Sequence, residues 1–151
     1  AAGLTLTASA VQPDIRITSS QRLSLGEDRS VLLVNLAARI TRAGVFKLSF
    51  VLPEGLEVES ITGNALSHWT DIEDGDDTVV TLHLKGKTEG NAQFQINLAG
   101  AGLEKTESWQ VPRVAIREAT KENGQLLLRV STGGSFYLLA ISHKRPSAGS
   151  I

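Results

Sequence analysis

Between Val45 and Gly63 the chain reads VFKLSFVLPEGLEVESITG, two alternations of apolar and polar residues joined by a compact Pro-Glu-Gly turn. Phe46, Leu48, Phe50 and Leu52 share one parity and Lys47 and Ser49 the other, the period of two that a half-buried strand requires. A chain patterned this way folds as β-structure. The same period recurs in Leu4, Leu6, Ala8 and Ala10, in Ile15 and Ile17, and in Leu23 and Leu25. From Ser30 to Ile40 the run SVLLVNLAARI starts apolar on both parities, as expected of a strand covered on both faces. Ala92, Phe94, Ile96 and Leu98 against Gln93, Gln95 and Asn97 form the cleanest alternation. No segment carries a helical period. About ten short strands separated by turn signals predict an all-β fold, an antiparallel β-sandwich of immunoglobulin-like or related type.

With 151 residues the chain fits one domain, expected over 1–145, with ESWQVP at 107–112 as an internal boundary and 146–151 as a disordered tail. Hydrophobic residues at 41% and charged residues at 21% suit a globular protein. A formal net charge of −1 argues against a nucleic-acid partner, which needs a cationic surface. No run reaches the ~20 apolar residues that span a bilayer, so membrane insertion is not expected; these residues include no signal peptide, a segment that processing removes from a mature chain. The absence of cysteine removes disulfides and thiolate chemistry. Methionine is absent too, which points to a fragment of a larger chain.

Two hairpins can be given a register. In VAIREATKENGQLLLRVS the parity of Val114 and Ile116 must meet that of Leu126, Leu128 and Val130, which favours a three-residue loop from Glu122 to Gly124 with Gly124 at positive φ. In SHWTDIEDGDDTVVTLHL a two-residue Asp74-Gly75 turn sets Trp69 opposite Val80 and makes His68 and His83 diagonal neighbours. Phe46, Leu48, Phe50, Phe94 and Ile96 are the expected core.

Chemistry is announced nowhere as clearly. Asp71, Glu73, Asp74, Asp76 and Asp77 are the densest set of hard oxygen ligands and the candidate calcium site, but their spacing is not that of an EF-hand, and a solvated hairpin tip is the simpler reading. His68 and His83 could begin a zinc site, yet the hairpin supplies no third ligand. The Gly133-Gly134-Ser135 run lacks the context of a hydrolase elbow. Trp69, Trp109 and Tyr137 are the aromatics that could form a sugar platform, with core packing as the simpler role. His143, Lys144 and Arg145 read as a solvated strand end. No catalytic residue and no cofactor is expected.

Leu52, Pro53, Gly55, Leu56, Val58 and Ser60 carry a resemblance. In this Leu-Pro-x-Gly turn and its exit strand the chain resembles the immunoglobulin-like modules of large bacterial surface and envelope proteins. That resemblance implies an extracytoplasmic scaffold or adhesion role without catalysis. The expected function is therefore a structural or protein-interaction module of a secreted or envelope protein, bound to other domains of its parent chain or to another protein. The alternative is a carbohydrate-binding module using Trp69 or Trp109, and an enzyme with acidic residues in a cleft stands third.

Overall fold

The computed structural model describes residues 12–101, 112, 114–132 and 135–145. Seven strands follow in chain order: β1 (Asp14–Leu25), β2 (Arg29–Val51), β3 (Leu56–Gly63), β4 (Leu66–Asp74), β5 (Asp77–Ala101), β6 (Lys121–Thr132) and β7 (Ser135–Arg145). They form one sheet ordered β3-β5-β2-β1-β6-β7, with β4 also paired to β5. Every pairing is antiparallel except β1 with β6, which is parallel, so the sheet is mixed.

The two long strands explain how one sheet makes two layers. Between Ile40 and Val45, β2 loses register with β5, and it slips again between Val45 and Lys47. Here Arg42 has φ 74° and Gly90, the partner of Ile40, has φ 93°. Positive φ and unpaired residues bend a ladder sharply. The first half of β2 and the second half of β5 join β3, β1, β6 and β7 in a first layer. Their other halves join β4 in a second.

Gln21 shows that the layers face each other. Its side chain belongs to the buried parity of β1, and it both donates to the Val114 carbonyl (2.8 Å) and accepts from the Val114 amide (2.9 Å). The segment holding Val114 therefore crosses the inner face of β1. Two residues later Ile116 bridges Phe50, and the Arg117 amide donates to the Ser49 carbonyl at 2.8 Å, which adds this segment to the second layer beside β2. Thr120 then returns the chain to β1 by bonding Ile15. Ile17, Leu32, Ile96 and Leu98 from the first layer and Leu48, Phe50, Val80 and Leu82 from the second fill the shared core. This is the expected all-β sandwich with two differences: the β1–β6 pairing makes it mixed instead of antiparallel, and the short predicted segments of 30–40 and 45–51, and of 77–84 and 92–98, are merged into β2 and β5.

Several local expectations are corrected. Leu48, Phe50, Phe94 and Ile96 are buried, but Phe46 is 63% exposed, because it is the residue left unpaired where β2 slips register. Gly124 is not a turn residue at positive φ: it lies inside β6, between Ser19 of β1 and His143 of β7. Val114 and Ile116 meet the core from the other layer instead of from a hairpin, so the parity argument was satisfied by different geometry. The β4–β5 turn is centred on Gly75 and Asp76, with Asp74 paired to Asp77 and Gly75 at φ 63°. Trp69 consequently faces Leu82, not Val80. The expected strand at Leu4 to Ala10, the greater part of the 107–112 boundary, Trp109 and the 146–151 tail lie outside the described residues.

Candidate interaction surfaces

The outer face of the second layer is built from three rows running across β4, β5 and β2. The first aligns His68, His83 and Lys47, the second Thr70, Thr81 and Ser49, and the third Ile72, Val79 and Val51. The histidines stand directly opposite each other, not diagonally, with ring centroids 4.5 Å apart and planes 8° from parallel. Thr70 Oγ1 lies 2.8 Å from His83 Nε2, and Ser67 Oγ lies 3.1 Å from His68 Nδ1. Rings stacked face to face direct their nitrogens along parallel planes, whereas a tetrahedral ion needs them to converge. Among the described residues no three histidine, aspartate or glutamate side chains are grouped to hold a metal ion.

The acidic run divides by the strand period. Asp71 and Glu73 share the parity of Trp69, while Asp74, Asp76 and Asp77 surround the Gly75 turn, and all five carboxylates are exposed. On the Trp69 side an open cleft of about 660 Å³ separates β4 from β3, lined by Leu52, Glu57, Val58, Trp69, Asp71 and Glu73. Trp69 is half-buried: part of it packs against the core, and the rest lines this cleft.

The third row was not anticipated from sequence. Ile72 is 64% exposed and Val51 37%, and with Phe46 they are the large exposed hydrophobics among the described residues. All three belong to β4 and the second half of β2. The signal was present in TDIEDG and SFVLP, where an apolar residue falls on the otherwise polar parity. Only the register of three strands shows that two of these residues line up. Nearby, Glu118 accepts from both the amide (2.7 Å) and the hydroxyl (2.5 Å) of Ser49, which fixes the 114–120 segment to this layer.

No protein-family model matches the sequence, and no curated protein is similar to it in sequence. Solved structures share the fold. A mutant of a two-domain M1 zinc metallopeptidase bound to L-tryptophan superposes with a TM-score of 0.57 at 10% identity, over 87% of this chain and 39% of that one. A mutant M1 zinc metallopeptidase from Deinococcus radiodurans gives 0.55 at 11% identity, with the same coverage. This chain thus spans about two-fifths of the length of those proteins, and at such identity the likeness concerns the fold alone. The sequence holds no His-Glu-x-x-His pair of the kind that binds zinc in many metallopeptidases. A non-cellulosomal cohesin from Archaeoglobus fulgidus superposes over 79% of this chain with a TM-score of 0.42 at 15% identity, too low to carry weight.

Proposed function

We propose that this chain is a non-catalytic β-sandwich module of a larger secreted or envelope protein, and that it acts by packing against another domain of that protein. The observation that carries this reading is the second-layer row in which Ile72 and Val51 are exposed on either side of half-buried Val79, with Phe46 exposed at the bend. Apolar side chains aligned on the solvent side of a sheet gain free energy only when something covers them. The solved structures support the same reading, since in them this fold occupies a minor part of a longer chain. The module sits outside the cytoplasm, as the Leu52 to Ser60 turn resemblance implies, and works without cofactor or turnover.

A photo-crosslinking residue placed at Ile72 in the full-length parent protein tests the packing. The expected product is an adduct with a peptide from another domain of the same protein, identified by mass spectrometry. Asp28, exposed in the β1–β2 turn, is the control position. A yield at Ile72 no greater than at Asp28 rejects the reading.

A further inference from the structure

The outer face of the first layer has a composition that ordinary solvation does not require. Across five strands, Thr62 of β3, Gln95 of β5, Asn35 of β2, Ser20 of β1 and Gln125 of β6 are paired in one continuous row. The adjacent row sets Gln93, Ala37, Thr18 and Asn123 side by side, with Asn64 beside Gln93, whose amide donates to the Asn64 side-chain oxygen at 2.9 Å. From β3 to β6 neither row contains a charge or a large apolar side chain, and the adjacent row ends on Lys144 where β7 pairs with Asn123. The third row holds Asn91, Arg39, Arg16 and Lys121, three cations with one carboxylate nearby, Asp14, at 3.4 Å from Arg16. Solvated surfaces usually intersperse both signs of charge. Here a neutral band of amides and hydroxyls abuts a cationic edge, on a chain whose net charge is −1.

We infer that this face binds an acidic polysaccharide, a glycan whose sugars carry carboxylates. Each side-chain amide both donates and accepts, which matches a sugar hydroxyl that does the same. Among the described residues the side chains of Asn35, Gln93, Gln95 and Gln125 make no hydrogen bond to the protein, so their groups are available. Shallow depressions of about 580 and 380 Å³ lie over the two neutral rows and over the cationic row. With strands ~4.8 Å apart, the five-strand row presents hydrogen-bonding groups along about 19 Å, long enough to follow an extended oligosaccharide. The guanidinium groups of Arg16 and Arg39 supply planar donor pairs for a ligand carboxylate, roughly one row-spacing of ~6.8 Å from the neutral band.

Other polyanions fit less well. A single-stranded nucleic acid draws much of its affinity from aromatic faces stacked on its bases, and these rows have none. An acidic peptide carries one backbone donor and one acceptor per residue, fewer than the several hydroxyls of each sugar, and polyglutamate is the ligand that tests it. The face is separate from the Ile72 row, so the inference does not rest on the proposed packing of the second layer.

The test is a nuclear magnetic resonance titration of the whole chain with oligogalacturonate, with a malto-oligosaccharide, polyglutamate and single-stranded DNA as comparison ligands. Oligogalacturonate should shift the side-chain amide signals of Asn35, Gln93 and Gln95 and bind more tightly than the neutral sugar. Arg39→Ala and Arg16→Ala should each weaken binding about tenfold, and Gln95→Ala about threefold, as loss of charged and neutral hydrogen bonds predicts. All three positions are exposed, and unchanged thermal melts would establish that the variants fold. Val51→Asp, in the same row as Ile72, should leave glycan binding intact while abolishing the crosslink from a photo-crosslinking residue at Ile72, which separates failure of one idea from failure of the other. Absence of shifts at the three amides would overturn the inference. So would polyglutamate or DNA binding the same residues as tightly as oligogalacturonate, since charge alone would then suffice.

Discussion

β2 and β5 each pass through both layers, and their two halves have become different surfaces. In the first layer the outward residues of the pair include Asn35, Ala37, Arg39, Gln93 and Gln95, while in the second they include Lys47, Val51, Val79 and His83. The inward residues hardly differ: Leu32, Val34, Ile96 and Leu98 in one half and Leu48, Phe50, Val80 and Leu82 in the other are all fully buried. A strand's two parities thus answer to separate constraints. The inner parity is fixed by the shared core, and the outer one is free to record what each face meets. The bend at Arg42 and Gly90 lets a single pair of strands serve both.

The largest expected effect lies where the halves share a core. Phe50 is wholly buried and bridges Ile116, so Phe50→Ala should cost about 3–5 kcal/mol in urea denaturation. Phe46→Ala, four residues earlier on the same parity, should cost less than about 0.5 kcal/mol because the ring already meets solvent. Equal losses would show that the register slip at Phe46 is misplaced.

Next comes the link between layers. Gln21→Leu keeps similar bulk but removes both bonds to Val114, leaving a buried amide and a buried carbonyl without these partners. Each such group costs about 1–3 kcal/mol, so a loss of roughly 2–4 kcal/mol is expected, read from the same denaturation curves. A near-neutral result would mean that the 114–120 segment is held by other contacts, Glu118 to Ser49 foremost.

Gly100 probes the first layer alone. It pairs with Ser30 on one side and Leu56 on the other, and a Cβ there would stand 2.1 Å from the Gly55 carbonyl oxygen. Backbone cannot swing aside as a side chain can. Gly100→Ala should therefore displace the start of β3 and cost about 1–3 kcal/mol, with amide exchange accelerated in β3 and unchanged in β4. Matching exchange in both strands would argue against independent faces.

These residues also mark how far sequence could go. Alternation identified the strands and the buried parity, since burial of one face in two is a local property, and Leu48, Phe50, Phe94 and Ile96 follow from it. Phe46 does not, because a register slip depends on how β5 runs alongside β2. Gly124 fails for a similar reason: an Asn-Gly pair favours a turn locally, but parallel pairing with β1 draws the chain straight through it. The parity that suggested a hairpin was correct, and the missing fact was that Val114 belongs to the opposite layer. For the surfaces, Gln93, Gln95 and Asn97 were visible as the polar side of the best alternation. Their alignment with Asn35, Ser20 and Gln125 required the order β5-β2-β1-β6, which no local pattern contains.

The smallest effect concerns the histidine row of the second layer. His68 and His83 stack as an opposed cross-strand pair, and such pairs contribute about 0.2–1 kcal/mol. A double-mutant cycle of His68→Ala and His83→Ala should recover a favourable coupling of that size. A coupling indistinguishable from zero would mean that the rings part in solution. In that case the Thr70 contact to His83 would survive without the stack, and His68→Ala alone should leave stability unaltered.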